Sequence, residues 1–200
     1  MKTRIVTLIT LLTIVLGISV SNAATRTDNT VTQTPVVVAI NNIHKIEASG
    51  NVEVYVTNGD KDQVKVYDKY YAKNALVQDK DGVLRIASYT GEKLVVLVTV
   101  SNLQAITAYD NATIKSYGKL SLIDLTLVLN NQASAQLNFD ALNADITLNN
   151  RATARLSGSV IDYSLAYSRT STLNKANLTV VNVTSQPTAT RQAEEKIASL

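Results

Sequence analysis

The sequence predicts an all-β chain built as a β-solenoid, with repeats of about 18 to 21 residues and a short C-terminal helix. Three observations carry that expectation. Apolar and polar residues alternate at period two along much of the chain, a ten-residue phrase recurs four times in the second half, and helical spacing is absent from the first half.

Residues 1–23 read as a targeting segment. Lys2 and Arg4 give a short positive region, residues 5–20 are largely apolar, and Ser21-Asn22-Ala23 ends in small residues. Cleavage is expected between Ala23 and Ala24, because the apolar run is shorter than the roughly 20 residues a spanning helix needs. The chain is therefore expected to be exported to the periplasm, the outer surface or the medium. Removing this segment also removes Lys2 and Arg4, so 17 Lys and Arg face 16 Asp and Glu, a net charge of +1. Neither a strong positive excess nor a basic cluster is left for a phosphate backbone, so nucleic acid is not an expected partner. With no Cys in the chain, disulfides cannot brace an exported fold, and packing must do so.

Residues 24–34, rich in Thr with an Asn and a Gln, read as a flexible lead-in, and residues 35–101 as an N-terminal strand half. There Val52, Val54 and Val56 alternate with Glu53, Tyr55 and Thr57, and the pattern resumes at Val64 and Val66 after Asn58-Gly59-Asp60. That spacing predicts a hairpin. A second hairpin is expected from residues 75–78 and 83–88 across Asp79-Lys80-Asp81-Gly82, followed by an apolar strand over 94–100.

Residues 102–186 form the repeat half. The segments 106–115, 127–136, 146–155 and, more loosely, 164–173 align, anchored on Asn111, Gln132, Arg151 and Arg169 at offsets of 21, 19 and 18. A period this short suits one coil of a β-solenoid. The alignment makes columns of Ile106, Leu127 and Ile146, of Ala108, Leu129, Leu148 and Ala166, and of Ala112, Ala133 and Ala152. Stacking would bury these as one narrow core. Asp110, Asn131, Asn150 and Ser168 fall between them, where Asx and Ser side chains stabilise turns and bond their equivalents on adjacent coils. The open edges of such a stack need covering. The first half is expected to cover one, and residues 187–200 the other: Ala193, Ile197 and Leu200 fall at helical spacing after Pro187.

The phrase Ser49-Gly50-Asn51-Val52-Glu53-Val54-Tyr55-Val56, with Asn58-Gly59-Asp60 after it, Asp81-Gly82-Val83-Leu84-Arg85-Ile86 further on and the repeats behind, resembles the auto-transporter adhesin head domain family, also called head GIN domains. The similarity runs over about residues 40–183. It implies secreted or surface-exposed proteins of Gram-negative bacteria, a right-handed parallel β-solenoid and no known catalytic residues. One departure stands out: the glycine turns common in the family's repeats are Leu129-Asn130-Asn131 and Leu148-Asn149-Asn150 here. Asn tolerates left-handed backbone, so the coil survives the exchange.

The inventory of chemical groups is thin. Without Cys, and with His44 as the one His, thiol nucleophiles, Ser-His-Asp triads and His-based zinc sites are excluded. Asp60 with Asp62 and Asp79 with Asp81 flank turns, where Asp serves local bonding, and they lack calcium-loop spacing. No cofactor or metal is expected. Two surfaces are candidates for binding. Tyr67, Tyr70 and Tyr71 crowd one turn region, and exposed Tyr presents large contact area at low entropic cost. The column Asn111, Gln132, Arg151 and Arg169, with Lys115, Gln136 and Arg155 four positions on, forms a polar ladder. The expected function is a non-catalytic binding or adhesion module for an unidentified surface glycan or protein; the alternative is an envelope-associated scaffold without a specific small ligand.

Overall fold

The computed structural model describes residues 36–38, 40, 42–67 and 75–187. The targeting segment expected over 1–23, the lead-in expected over 24–34 and the C-terminal helix expected over 190–200 lie outside them. Thirteen strands and no helix make up the described residues: β1 (Val36–Val38), β2 (Lys45–Ser49), β3 (Val52–Asn58), β4 (Gln63–Val66), β5 (Ala75–Lys80), β6 (Val83–Ser88), β7 (Leu94–Val100), β8 (Ala105–Ala108), β9 (Thr113–Ser116), β10 (Leu120–Leu129), β11 (Ser134–Leu148), β12 (Thr153–Tyr167) and β13 (Thr172–Pro187). All belong to one sheet that bends round an apolar core into a nearly closed, barrel-like form.

Two parallel ladders meet at the repeated turns. In the first, β6, β2, β8 and the C-terminal parts of β10, β11 and β12 lie side by side; in the second, β7, β3, β9 and the N-terminal parts of β11 and β12 do. The chain does not fill them in sequence order. The pair β2–β3 is flanked by β6–β7 on one side and by β8–β9 on the other. At the β6–β7 end, β5 and β4 run antiparallel along the outer edges, and β1 pairs with β4. Antiparallel strands thus occupy an edge that would otherwise present unpaired backbone groups.

This order corrects the first expected hairpin. Val52–Val56 and Val64–Val66 are strands, yet β3 pairs with β7 and β9, and β4 reaches β7 instead. Period-two alternation fixes which side chains face inward but says nothing about the neighbouring strand. Asp62 redirects the chain: one carboxylate oxygen accepts the Ile43 N–H at 2.6 Å, and the other accepts the Ser101 N–H at 2.8 Å and its hydroxyl at 2.9 Å. The β5–β6 hairpin forms as expected, across Asp81 and Gly82, both left-handed at φ 52° and 72°.

The core columns match the alignment through three repeats. Leu127 registers with Ile106 and Ile146, and Leu129 with Ala108 and Leu148, all fully buried. The fourth repeat is one residue out. The offset from β12 to β13 at this turn is 19, not 18, since Thr153 pairs with Thr172, and on the other ladder Leu148 pairs with Tyr167 and Thr147 with Ala166. Leu165, 6 % exposed, therefore continues the Ile106 column, and Ala166 leaves the inner column. A one-residue slip in a period-two element exchanges its faces, and burial of Leu165 decides against the looser alignment.

A charged cluster on the outer face centres on Glu53. Glu53 accepts bonds from the Tyr55 hydroxyl at 2.8 Å, from Lys93 at 3.1 Å and from Lys115, so three neighbouring strands or their approaches are tied together. Its side chain is 10 % exposed. The Lys115 ammonium first, then the Tyr55 hydroxyl, hold the Glu53 carboxyl down at about 2, and Lys115 is raised in return. A depressed carboxyl stabilises the fold above its unfolded value near 4.5 and loses that contribution as pH falls toward 2. Glu53→Gln is therefore expected to cost about 1 to 3 kcal/mol at pH 7, measured by urea denaturation, with the gap closing between pH 4.5 and 2. A gap that persisted unchanged at pH 2 would assign the loss to packing.

Candidate functional site: the turn groove

Four successive turns share one hydrogen bond. Ala112 donates to Tyr109, Ala133 to Asn130, Ala152 to Asn149 and Ser171 to Ser168, at 3.1 to 3.2 Å. In the first three, the residue after the acceptor is left-handed: Asp110 at φ 60°, Asn131 at 62° and Asn150 at 58°. Short polar Asx side chains bear that conformation better than other non-glycine residues. Ala112, Ala133 and Ala152 close each turn, fully buried, where a larger side chain would collide with the coil above or below. The fourth turn, with Arg169 at the second place, keeps the bond without a left-handed residue.

The side chains form two rows. In the inner row Asn131 donates to Asp110 at 3.0 Å and Asn150 to Asn131 at 3.1 Å, and beside it Asn149 donates to Asn130 at 2.9 Å. Thr170 donates its hydroxyl to the Asn150 carbonyl at 2.6 Å. This ladder braces the rim. In the outer row stand Asn111, Gln132 and Arg151, all exposed, and no hydrogen bond or ion pair engages their side chains among the described residues. Both rows line a groove of about 630 Å³, formed by Asp110, Asn111, Asn131, Gln132, Asn150, Arg151 and Thr170. A smaller depression of about 230 Å³ is lined by Thr113, Lys115, Ser134, Gln136, Thr153 and Arg155.

The structure thus brings Asn111, Gln132 and Arg151 together, as the alignment expected. Arg169 is not in their row: the 19-residue offset puts Thr170 there and Arg169 at the Asn150 position. Lys115, Gln136 and Arg155 are in direct register, though Lys115 is held by Glu53. Tyr67 is half-buried, and its backbone N–H bonds the Val95 carbonyl at 2.9 Å. Tyr70 and Tyr71 lie outside the described residues. His44 is exposed at a turn, its ring against Gly82. Among the described residues, no group of three or more His, Cys, Asp or Glu is placed to hold a metal. The groove can recognise an extended polar ligand by hydrogen bonding and one guanidinium; it holds no nucleophile paired with a base.

These features define an all-β protein in which successive turns carry one polar ladder. The chain belongs to the family described as "Putative auto-transporter adhesin, head GIN domain", whose match covers residues 42–194. Two solved structures from Parabacteroides distasonis ATCC 8503 share the fold. One, a "putative adhesin", is 14 % identical with a TM-score of 0.57, covering 77 % of each chain. The other, a "Putative lipid binding protein", is 8 % identical with a TM-score of 0.53, covering 78 % of this chain and 79 % of its own. No curated protein matches in sequence.

Proposed function

We propose that this chain is an exported, non-catalytic binding or adhesion module, built as a right-handed parallel β-solenoid, whose turn groove takes a surface glycan or protein. The observation that carries this reading is the outer row of Asn111, Gln132 and Arg151. Three successive coils present unengaged polar side chains over a braced Asx floor, at the roughly 4.8 Å step of a sheet. A ligand with repeating hydroxyl or amide groups meets equivalent donors and acceptors at each step, without the entropic cost of ordering a loop. Parallel registers at offsets of 19 to 21 residues support the solenoid reading, and the family resemblance supports its handedness. Export rests on the pattern of residues 1–23 and on the family. The non-catalytic reading rests on the inventory of a Cys-free chain with one His. A lipid tail fits this groove poorly, because six of its seven lining residues are Asp, Asn, Gln or Arg.

Glycan-array and pull-down binding of the full chain test the reading. Gln132→Ala with Arg151→Ala is expected to weaken capture about tenfold or more and to leave the β signature unchanged; the Arg151 share should shrink at high salt. Tyr70→Ala with Tyr71→Ala serves as the competing surface and should leave capture near wild type. Loss of capture in the Tyr pair alone would move the site to the first half. A chain that captures nothing would favour the envelope scaffold.

A further inference from the structure

Where β10, β11, β12 and β13 turn between the two ladders, each places one exposed large aliphatic residue in a single column; β13 also exposes Val183 outside it. Ile123 is 65 % exposed, Leu142 50 %, Ile161 44 % and Val181 70 %. Registered pairs on either side of these positions place them in one column on β10, β11, β12 and β13. The four form an apolar ridge roughly 14 Å long, given the sheet spacing of about 4.8 Å per coil. Scattered surface aliphatics are ordinary, but a contiguous column on successive coils marks an interaction surface.

The adjoining column alternates strictly: Asp124, Asn143, Asp162, Asn182. Asn143 donates to Asp124 at 2.7 Å and Asn182 to Asp162 at 2.8 Å, so the column is fixed in place. Each amide keeps one N–H, and each carboxylate keeps one oxygen, free of these bonds. We infer that this ridge is a self-association surface, on which two copies of the chain pack antiparallel about a two-fold axis between Leu142 and Ile161.

Self-complementarity selects this occupant. An in-plane two-fold perpendicular to the stack sets Ile123 against Val181 of the other copy and Leu142 against Ile161. The same operation sets Asp124 against Asn182 and Asn143 against Asp162, so every carboxylate meets an amide and no like charges meet. Running the copies in the same direction would bring Asn143 against Asp140, whose oxygens are already taken by Ser159 at 2.7 Å and Lys119 at 3.0 Å. The flanking acids oppose docking on an anionic lipid surface. A ridge this short belongs to the weak, transient class of interfaces, which suits a module whose avidity rises when several copies share one surface.

A chain without cysteine makes the test direct. Sedimentation across a concentration series should show a monomer–dimer equilibrium for the full chain, weakened roughly tenfold or more by Leu142→Ser with Ile161→Ser, while circular dichroism stays unchanged. Under mild oxidation, Ile123→Cys mixed with Val181→Cys should form a disulfide-linked heterodimer, and neither variant alone should link, because like positions are about 14 Å apart. A wild type that stays monomeric at every concentration, with no mixed link, overturns the inference. Self-linking of Ile123→Cys overturns the antiparallel arrangement. Capture of a monomer by neutral phosphatidylcholine vesicles assigns the ridge to lipid instead.

Discussion

Leu148→Ala is expected to lower stability by about 2 to 5 kcal/mol, and Leu129→Ala by a similar amount, read from denaturation midpoints. Both side chains are fully buried in one column, with Ala108 above and Tyr167 below. Truncating either removes apolar area from the core, and the strands on both sides are held by backbone ladders that resist collapse into the space. Arg151→Ala, on the outer row of the same turn region, should stay within about 0.5 kcal/mol, since its side chain packs against nothing that folding requires. Equal midpoints for all three variants would mean that the Leu column is not the core.

Gly158→Ala is expected to be the most damaging single methyl addition, costing on the order of 3 kcal/mol or more. Gly158 sits at φ 111°, and a Cβ there would lie 1.9 Å from the Phe139 carbonyl oxygen of the adjacent strand. That oxygen belongs to the ladder between β11 and β12, so it cannot move without breaking the pairing that surrounds fully buried Phe139. Gly118→Ala separates the two causes. Gly118 also has a positive φ, 84°, but nothing lies within 4 Å of its added Cβ, so the loss there should reflect backbone preference alone, about 1 kcal/mol. If the two substitutions cost the same, the close approach at Gly158 is not what constrains it.

Much of this architecture was legible because parallel strands paired at a near-constant offset write their register into the spacing of similar segments. Leu127, Leu129 and Ala133 carry one-to-one counterparts in the next coil, and those equivalences are the registers observed. Asn131 and Asn150 were legible as turn residues for the same reason. What failed was local. Ser168-Arg169 lacks the Asx signature, so the fourth repeat slid by one and Arg169 was assigned to the Thr170 row; Leu165 and Thr172 in the columns of Ile146 and Thr153 were the signal that settles it. The pairing of β4 with β7 was illegible for a different cause. Its determinant is Asp62, which meets Ile43 and Ser101 through contacts 19 and 39 residues away, and no periodicity reports such partners. The ridge of Ile123, Leu142, Ile161 and Val181 escaped because strand alternation breaks at the corner: Leu142 and Asn143 are both exposed, so a period-two reading places one of them inside.

The groove can be blocked at a single position, since any introduced thiol would be the chain's sole thiol. Gln132→Cys on the outer row and Thr126→Cys on the outer face of β10 both replace exposed residues, and each can carry the same bulky maleimide. Capture of the glycan or protein that the unmodified chain pulls down should then be abolished by the adduct at position 132 and unaffected by the adduct at position 126. Equal capture by both adducts would contradict the assignment of binding to the turn groove.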